Sequence, residues 1–80
     1  MEVKDLKTGD KVKARYRKYG VHSVVGEVFE ISADKGEFKG TWASIRVTGG
    51  NLNDPHVGWL VKNKVSVLVA LKDIVAIIKP

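Results

Sequence analysis

Apolar and polar residues alternate along most of this chain with the two-residue period of extended strands, and no stretch of any length shows a helical period. The densest apolar stretch is residues 65–78, VSVLVALKDIVAII, which opens on Val65, ends on Ile78 and carries only two charges, Lys72 and Asp73. Val65, Val67, Val69 and Leu71 form one face, Ser66, Leu68 and Ala70 the other, and residues 74–78 are apolar throughout. β-Branched residues predominate, so the pattern predicts two strands that meet at a sharp bend before Ile74.

Earlier in the chain, residues 11–16 alternate strictly. Val12, Ala14 and Tyr16 point one way and Lys11, Lys13 and Arg15 the other, as in a half-buried strand with a basic outer face. A turn by composition, Lys7-Thr8-Gly9-Asp10, precedes it, and a loop over residues 17–20 follows, holding Tyr19 and ending on a glycine suited to positive φ. Residues 21–31 predict a second strand with a displaced pattern. Val24, Gly26 and Val28 share a face, while Phe29 and Ile31 sit on the other, and a bulge between Gly26 and Glu30 reconciles them. Residues 32–40 are turn-rich, with a hairpin tip predicted at Asp34, Lys35 and Gly36. In residues 41–48, Ala43, Ile45 and Val47 point inward and Trp42, Ser44 and Arg46 outward. Residues 49–55, GGNLNDP, are turn formers, and residues 57–61 predict a further short strand. Five or six short strands with turns between them predict an all-β fold: residues 1–80 as a single small, strongly bent barrel.

Composition narrows the partners. Eighty residues make one small domain with one core. The chain has no cysteine, which excludes disulfides and thiolate metal sites, and no run approaches the roughly 18 apolar residues of a membrane span. A soluble, cytoplasmic protein without a membrane partner is expected. The net charge is +5, from 14 Lys and Arg against 9 Asp and Glu. Lys11, Lys13, Arg15, Arg17 and Lys18 stand within eight residues that contain no acid, so the excess is local, as a polyanion-binding face requires. The same residues also suit a solvated outer strand that resists edge-to-edge pairing. Trp42 shares its face with Arg46; a base can stack on the one while the other grips phosphate, or Trp42 can cap an open end of the barrel.

Catalytic constellations are not recognisable. His22 and His56 stand apart in the sequence, each in or beside a predicted loop; Asp54-Pro55-His56 has the composition of a turn. Glu27 and Glu30 fall on opposite faces of a regular strand unless the bulge intervenes. No catalytic activity, metal or cofactor is therefore expected. The expected function is binding of nucleic acid, RNA before DNA, through Lys11, Lys13, Arg15, Arg17, Lys18, Tyr19, Trp42 and Arg46. The alternative is a protein-interaction module that forms a homo-oligomer through residues 65–78, where the apolar surface exceeds what one barrel interior holds.

Two resemblances bear on the fold. Leu6-Lys7-Thr8-Gly9-Asp10-Lys11-Val12 resembles the opening of many SH3-like small barrels. Asn63-Lys64-Val65-Ser66, Val69 and Ile74, together with Gly26-Glu27-Val28-Phe29-Glu30-Ile31, are similar to the Sm-like family, most of all its bacterial RNA chaperones. The resemblance implies a strongly bent five-stranded barrel that forms a ring and binds single-stranded RNA. The Tyr-Lys-His triplet by which those chaperones meet RNA falls here on Ala70, Leu71 and Lys72, so only a basic end residue remains and no RNA-binding residue carries over. Residues 49–62 stand where the bacterial members have almost no loop.

Overall fold

The computed structural model describes residues 6–33 and 40–78. Strands β1 (Lys11–Arg17), β2 (Val21–Ala33), β3 (Thr41–Gly50), β4 (Ser66–Ala70) and β5 (Ile74–Ile78) form one antiparallel sheet in the order β4-β3-β2-β1-β5. Helix α1 (Pro55–Lys62) links β3 to β4, and a 3-10 turn (Leu71–Asp73) links β4 to β5. The fold is mainly β, and residues 65–78 supply two strands and the bend between them. Strands β4 and β5 are the edges of the sheet, and among the described residues no ladder joins them. The predicted hairpin tip at Asp34, Lys35 and Gly36 lies outside the described residues. No described helix is long and apolar enough to cross a membrane.

The inward pattern holds strand by strand. Val12, Ala14, Val24, Val28, Ala43, Ile45 and Val47 are all buried, joined by Val67, Val69 and Ile74 from the last two strands. The chain enters this sheet through a turn that explains the opening motif: Asp10 N–H donates to the Lys7 carbonyl at 3.2 Å, and the Asp10 carboxylate accepts from Lys7 N–H at 3.0 Å. Gly9, third in the turn, takes φ 95°, which side-chain-bearing residues rarely adopt.

Strand β2 pairs with β1 through its first half and with β3 along most of its length. Its ladder to β3 shifts twice, between Val25 and Gly26 and between Val28 and Glu30, so Phe29 is left without a partner as the bulged residue. The bulge returns Ile31 to the Ala43 side and puts Glu27 and Glu30 on one face, opposite Arg46 and Ser44. Gly26 allows the closest approach: a Cβ there would stand 2.6 Å from Ile45 Cγ2 and nearer still to the Arg46 carbonyl oxygen.

Residues 57–61 are helical, not the strand their composition predicts. Asp54 caps the helix, its Oδ1 accepting from His56 N–H at 2.9 Å, and Pro55 takes the first turn, where a missing N–H costs nothing. Val57 and Leu60 are buried against the sheet, and Val61 packs beside them. The helix ends in a Schellman arrangement: Val65 N–H donates to Leu60 O at 3.0 Å and Lys64 N–H to Val61 O at 3.2 Å. That geometry demands a left-handed residue at position 64, and Lys64 adopts φ 53° to supply it.

Two stability changes are expected. Lys64→Gly relieves the left-handed lysine and raises stability by about 1 kcal/mol, or about 4–8 °C in thermal midpoint by scanning calorimetry. Gly26→Ala forces β2 away from β3 and lowers stability by roughly 2 kcal/mol in urea denaturation. Equal midpoints for Gly26→Ala and the parent would refute the close-approach role of this glycine.

Candidate functional site

The side chains of Lys11, Lys13, Arg15 and Arg17 share the exposed face of β1, as their alternation predicts. Their neighbours differ, and this divides them. Lys11 stands in register with Glu27, which is itself opposite Arg46 on β3, so an acid sits between two of the predicted contact residues. The Arg46 guanidinium lies 5.9 Å from the Phe29 ring. Lys13 borders a separate depression with Ser23, Val25, Gly50 and Asn51. Lys18 and Tyr19 occupy the β1–β2 hairpin, where Tyr19 is 94% exposed and the Lys18 ammonium lies 6.0 Å from its ring centroid.

Arg15 and Arg17 instead reach a cleft of about 580 Å³, walled by the end of β1, the start of β3, β4 and the 3-10 turn. Trp42 lines it, half-buried, together with Leu68, Ala70, Leu71 and Lys72. Arg46, four residues from Trp42 and roughly 13 Å along the strand, does not line it. The grouping of Trp42 with Arg46 is therefore replaced by one of Trp42 with Arg15 and Arg17.

The cleft exists because the sheet is bent and open. Arg17 is in register with Val21 and Trp42 with Ser32, so along a straight β2 they would stand roughly 35 Å apart. Coiling of β2 brings both to one opening. Strand β5 pairs with β1 only as far as Ala14, and β4 pairs only with β3, so β1 and β4 approach within 8 Å, Cα to Cα, without a ladder between them. Asp73 crosses this seam: Arg17 Nε donates to its Oδ1 at 3.0 Å, with Arg17 55% and Asp73 11% exposed at the side chain. The carboxylate holds one edge of the guanidinium and leaves the other nitrogens available to an anion.

A second cluster overturns the expectation that the two histidines stand apart. His22 Nδ1 lies 2.6 Å from Asp54 Oδ2, and its Nε2 lies 2.9 Å from the Lys18 carbonyl oxygen. The rings of His22 and His56 have centroids 4.5 Å apart, and Tyr16 and Trp59 each stack on His56, at 6.0 and 6.5 Å. The Asp54 hydrogen bond, then the Lys18 carbonyl, raise the His22 pKa above its ordinary value. The same bond to His22, with further help from the His56 and Val57 N–H groups, lowers that of Asp54. Among the described residues, no group of three or more His, Cys, Asp or Glu side chains is placed to hold a metal ion.

Lys72 escaped the sequence reading as a contact residue. Its signal was a charge at the bend of an otherwise apolar run. Arg17 is more than half exposed, and water screens its pair with the buried Asp73, so a double-mutant cycle with Arg17→Ala and Asp73→Ala is expected to return a coupling of about 1 kcal/mol. A coupling well above that would mean the pair holds the seam shut rather than orienting Arg17.

No protein-family model, curated protein or solved structure matches the chain.

Proposed function

We propose that this chain is a small SH3-like, Sm-like barrel, left open at one seam, that binds single-stranded nucleic acid in the cleft between β1 and β4. The observation that carries the reading is the convergence of Trp42 with Arg15, Arg17 and Lys72 on one cleft. An aromatic side chain beside three cations suits an unpaired base with its flanking phosphates; a paired base in a duplex does not reach a recessed ring. RNA is preferred to DNA through the Sm-like resemblance. In support of that resemblance, the positions of the family's RNA-contacting triplet, Ala70, Leu71 and Lys72, all line the cleft.

Three cleft cations predict three neutralised phosphates, so affinity for a mixed pool of single-stranded oligonucleotides falls with salt at a log-log slope of about −2. Reversing Arg15 and Lys72 together to Glu weakens binding on the order of a hundredfold, while Lys11→Glu and Lys13→Glu change it far less. In a Trp59→Phe background, bound oligonucleotide quenches the remaining indole, that of Trp42. Absence of salt-dependent binding by fluorescence anisotropy at low salt refutes the reading, and equal losses from Lys13→Glu and Arg15→Glu move the site out of the cleft.

Self-association is a second reading, favoured by the two sheet edges. Among the described residues strand β5 has no ladder on the side away from β1, and its Val75, Ala76 and Ile77 are only half-buried. Light scattering after size exclusion is expected to give a multiple of 8.8 kDa. A monomer removes this reading and leaves the first intact.

A further inference from the structure

We propose that His22 is a pH-sensitive strap that ties the β1–β2 hairpin to the N-terminus of α1. Three separate parts of the chain meet at this one ring. The hairpin offers the Lys18 carbonyl oxygen to Nε2 at 2.9 Å, and the residue before α1 offers the Asp54 carboxylate to Nδ1 at 2.6 Å. Both partners are oxygen acceptors with no proton to give. A neutral imidazole has one N–H and satisfies one of them, turning a lone pair on the other; only the imidazolium donates to both. The geometry is therefore complete in the protonated state alone.

The charged and titratable groups around the ring are few. From β1, Tyr16 presents its ring at a 6.3 Å centroid distance, and from the hairpin the Lys18 ammonium is turned toward Tyr19. From α1 come Asp54 and His56, and His56 offers a ring face at 4.5 Å and no acceptor oxygen. Among the described residues its own Nε2 is buried with no hydrogen-bond partner, so that atom makes no bond to the Asp54 carboxylate. Asp54 does two jobs at once, since its other oxygen caps α1 through the His56 N–H at 2.9 Å. Loss of the His22 proton thus loosens the hairpin and withdraws the ion that orients the helix cap.

The sign follows from the directions of the two shifts. His22 titrates above its ordinary value, so its contribution is complete below the unfolded imidazole value of about 6.5 and is lost as pH rises through the folded midpoint. Asp54 titrates below its ordinary value, so its contribution is present above the unfolded carboxylate value and is lost as pH falls through the folded midpoint. The strap is therefore closed between the folded midpoints of Asp54 and His22 and opens as pH rises through that of His22.

The test needs no ligand and is independent of the nucleic-acid reading. In a proton–nitrogen NMR titration of the full chain from pH 5 to 9, the His22 ring is expected to titrate above about 6.5. The backbone amides of Lys18, Gly20 and His56 should shift with the same midpoint, and the thermal midpoint by circular dichroism should fall across that interval. Asp54→Asn keeps a capping side chain but removes the charge; it is expected to return the His22 midpoint toward the ordinary value and flatten the thermal profile, with α1 retained. His22→Gln should abolish the dependence and His56→Phe should keep it. The proposal is overturned if the Lys18 and His56 amides do not follow His22, or if His56→Phe removes the dependence while His22→Gln preserves it.

Discussion

The structure depends on the bending of a single strand. Thirteen-residue β2 must serve β1 with its first half and β3 with most of its length, and a straight strand of that span would be longer than the molecule's greatest extent of 32 Å. Gly26 lets the backbones of β2 and β3 close to a distance that no Cβ tolerates, and the unpaired Phe29 resets the register three residues later. The two devices act on different things: the glycine sets how sharply the strand turns, the bulge which side chains face inward afterwards. Without the second, Ile31, itself exposed, would leave the Ala43 side.

The same bend positions the candidate site. Arg17 and Trp42 belong to opposite ends of β2's two ladders and meet only because the sheet coils. Their meeting also needs the sheet to stay open, since a ladder between β1 and β4 would fill the cleft with backbone. Pairing of β5 stops at Ala14, which leaves the last residues of β1 without a second ladder among the described residues, and contact across the gap is made by side chains, Arg17 with Asp73.

Much of the fold was legible because a two-residue period survives wherever one face of a strand is buried. Val12, Ala14, Val24, Val28, Ala43, Ile45 and Val47, read as inward from alternation, are buried, Tyr16 is half-buried against them, and the displaced pattern at Phe29 announced its bulge. Helix α1 was not legible by period, being only eight residues long, with Gly58 in its interior and β-branched Val57 and Val61 on its buried side. Its signals were local: Asp54 and Pro55 at the start, and a single apolar triplet, Val57, Leu60 and Val61, too short to establish a period. The site was half legible. Composition marked the basic strand and Trp42, but grouping Trp42 with Arg46 rested on a shared face, and residues four positions apart on one strand line different places. The His22–Asp54 contact spans 32 residues of sequence and leaves no periodic trace.

The apolar surplus of residues 65–78 now divides into parts with different explanations. Val67, Val69 and Ile74 go to the core. Leu68 and Ala70, which a closed barrel would turn to solvent, wall the cleft with Trp42 and the arginines, and Leu71, packed against the core, lines it as well. An apolar floor beside cations strengthens electrostatic contact by excluding water, so under the proposed function these residues serve the ligand and need no second subunit to cover them. Among the described residues, the outer edge of β5 is left without such an account. The argument for self-association therefore narrows from fourteen residues to one short strand, while the argument for a ligand gains the two apolar residues that strand pairing alone left unexplained.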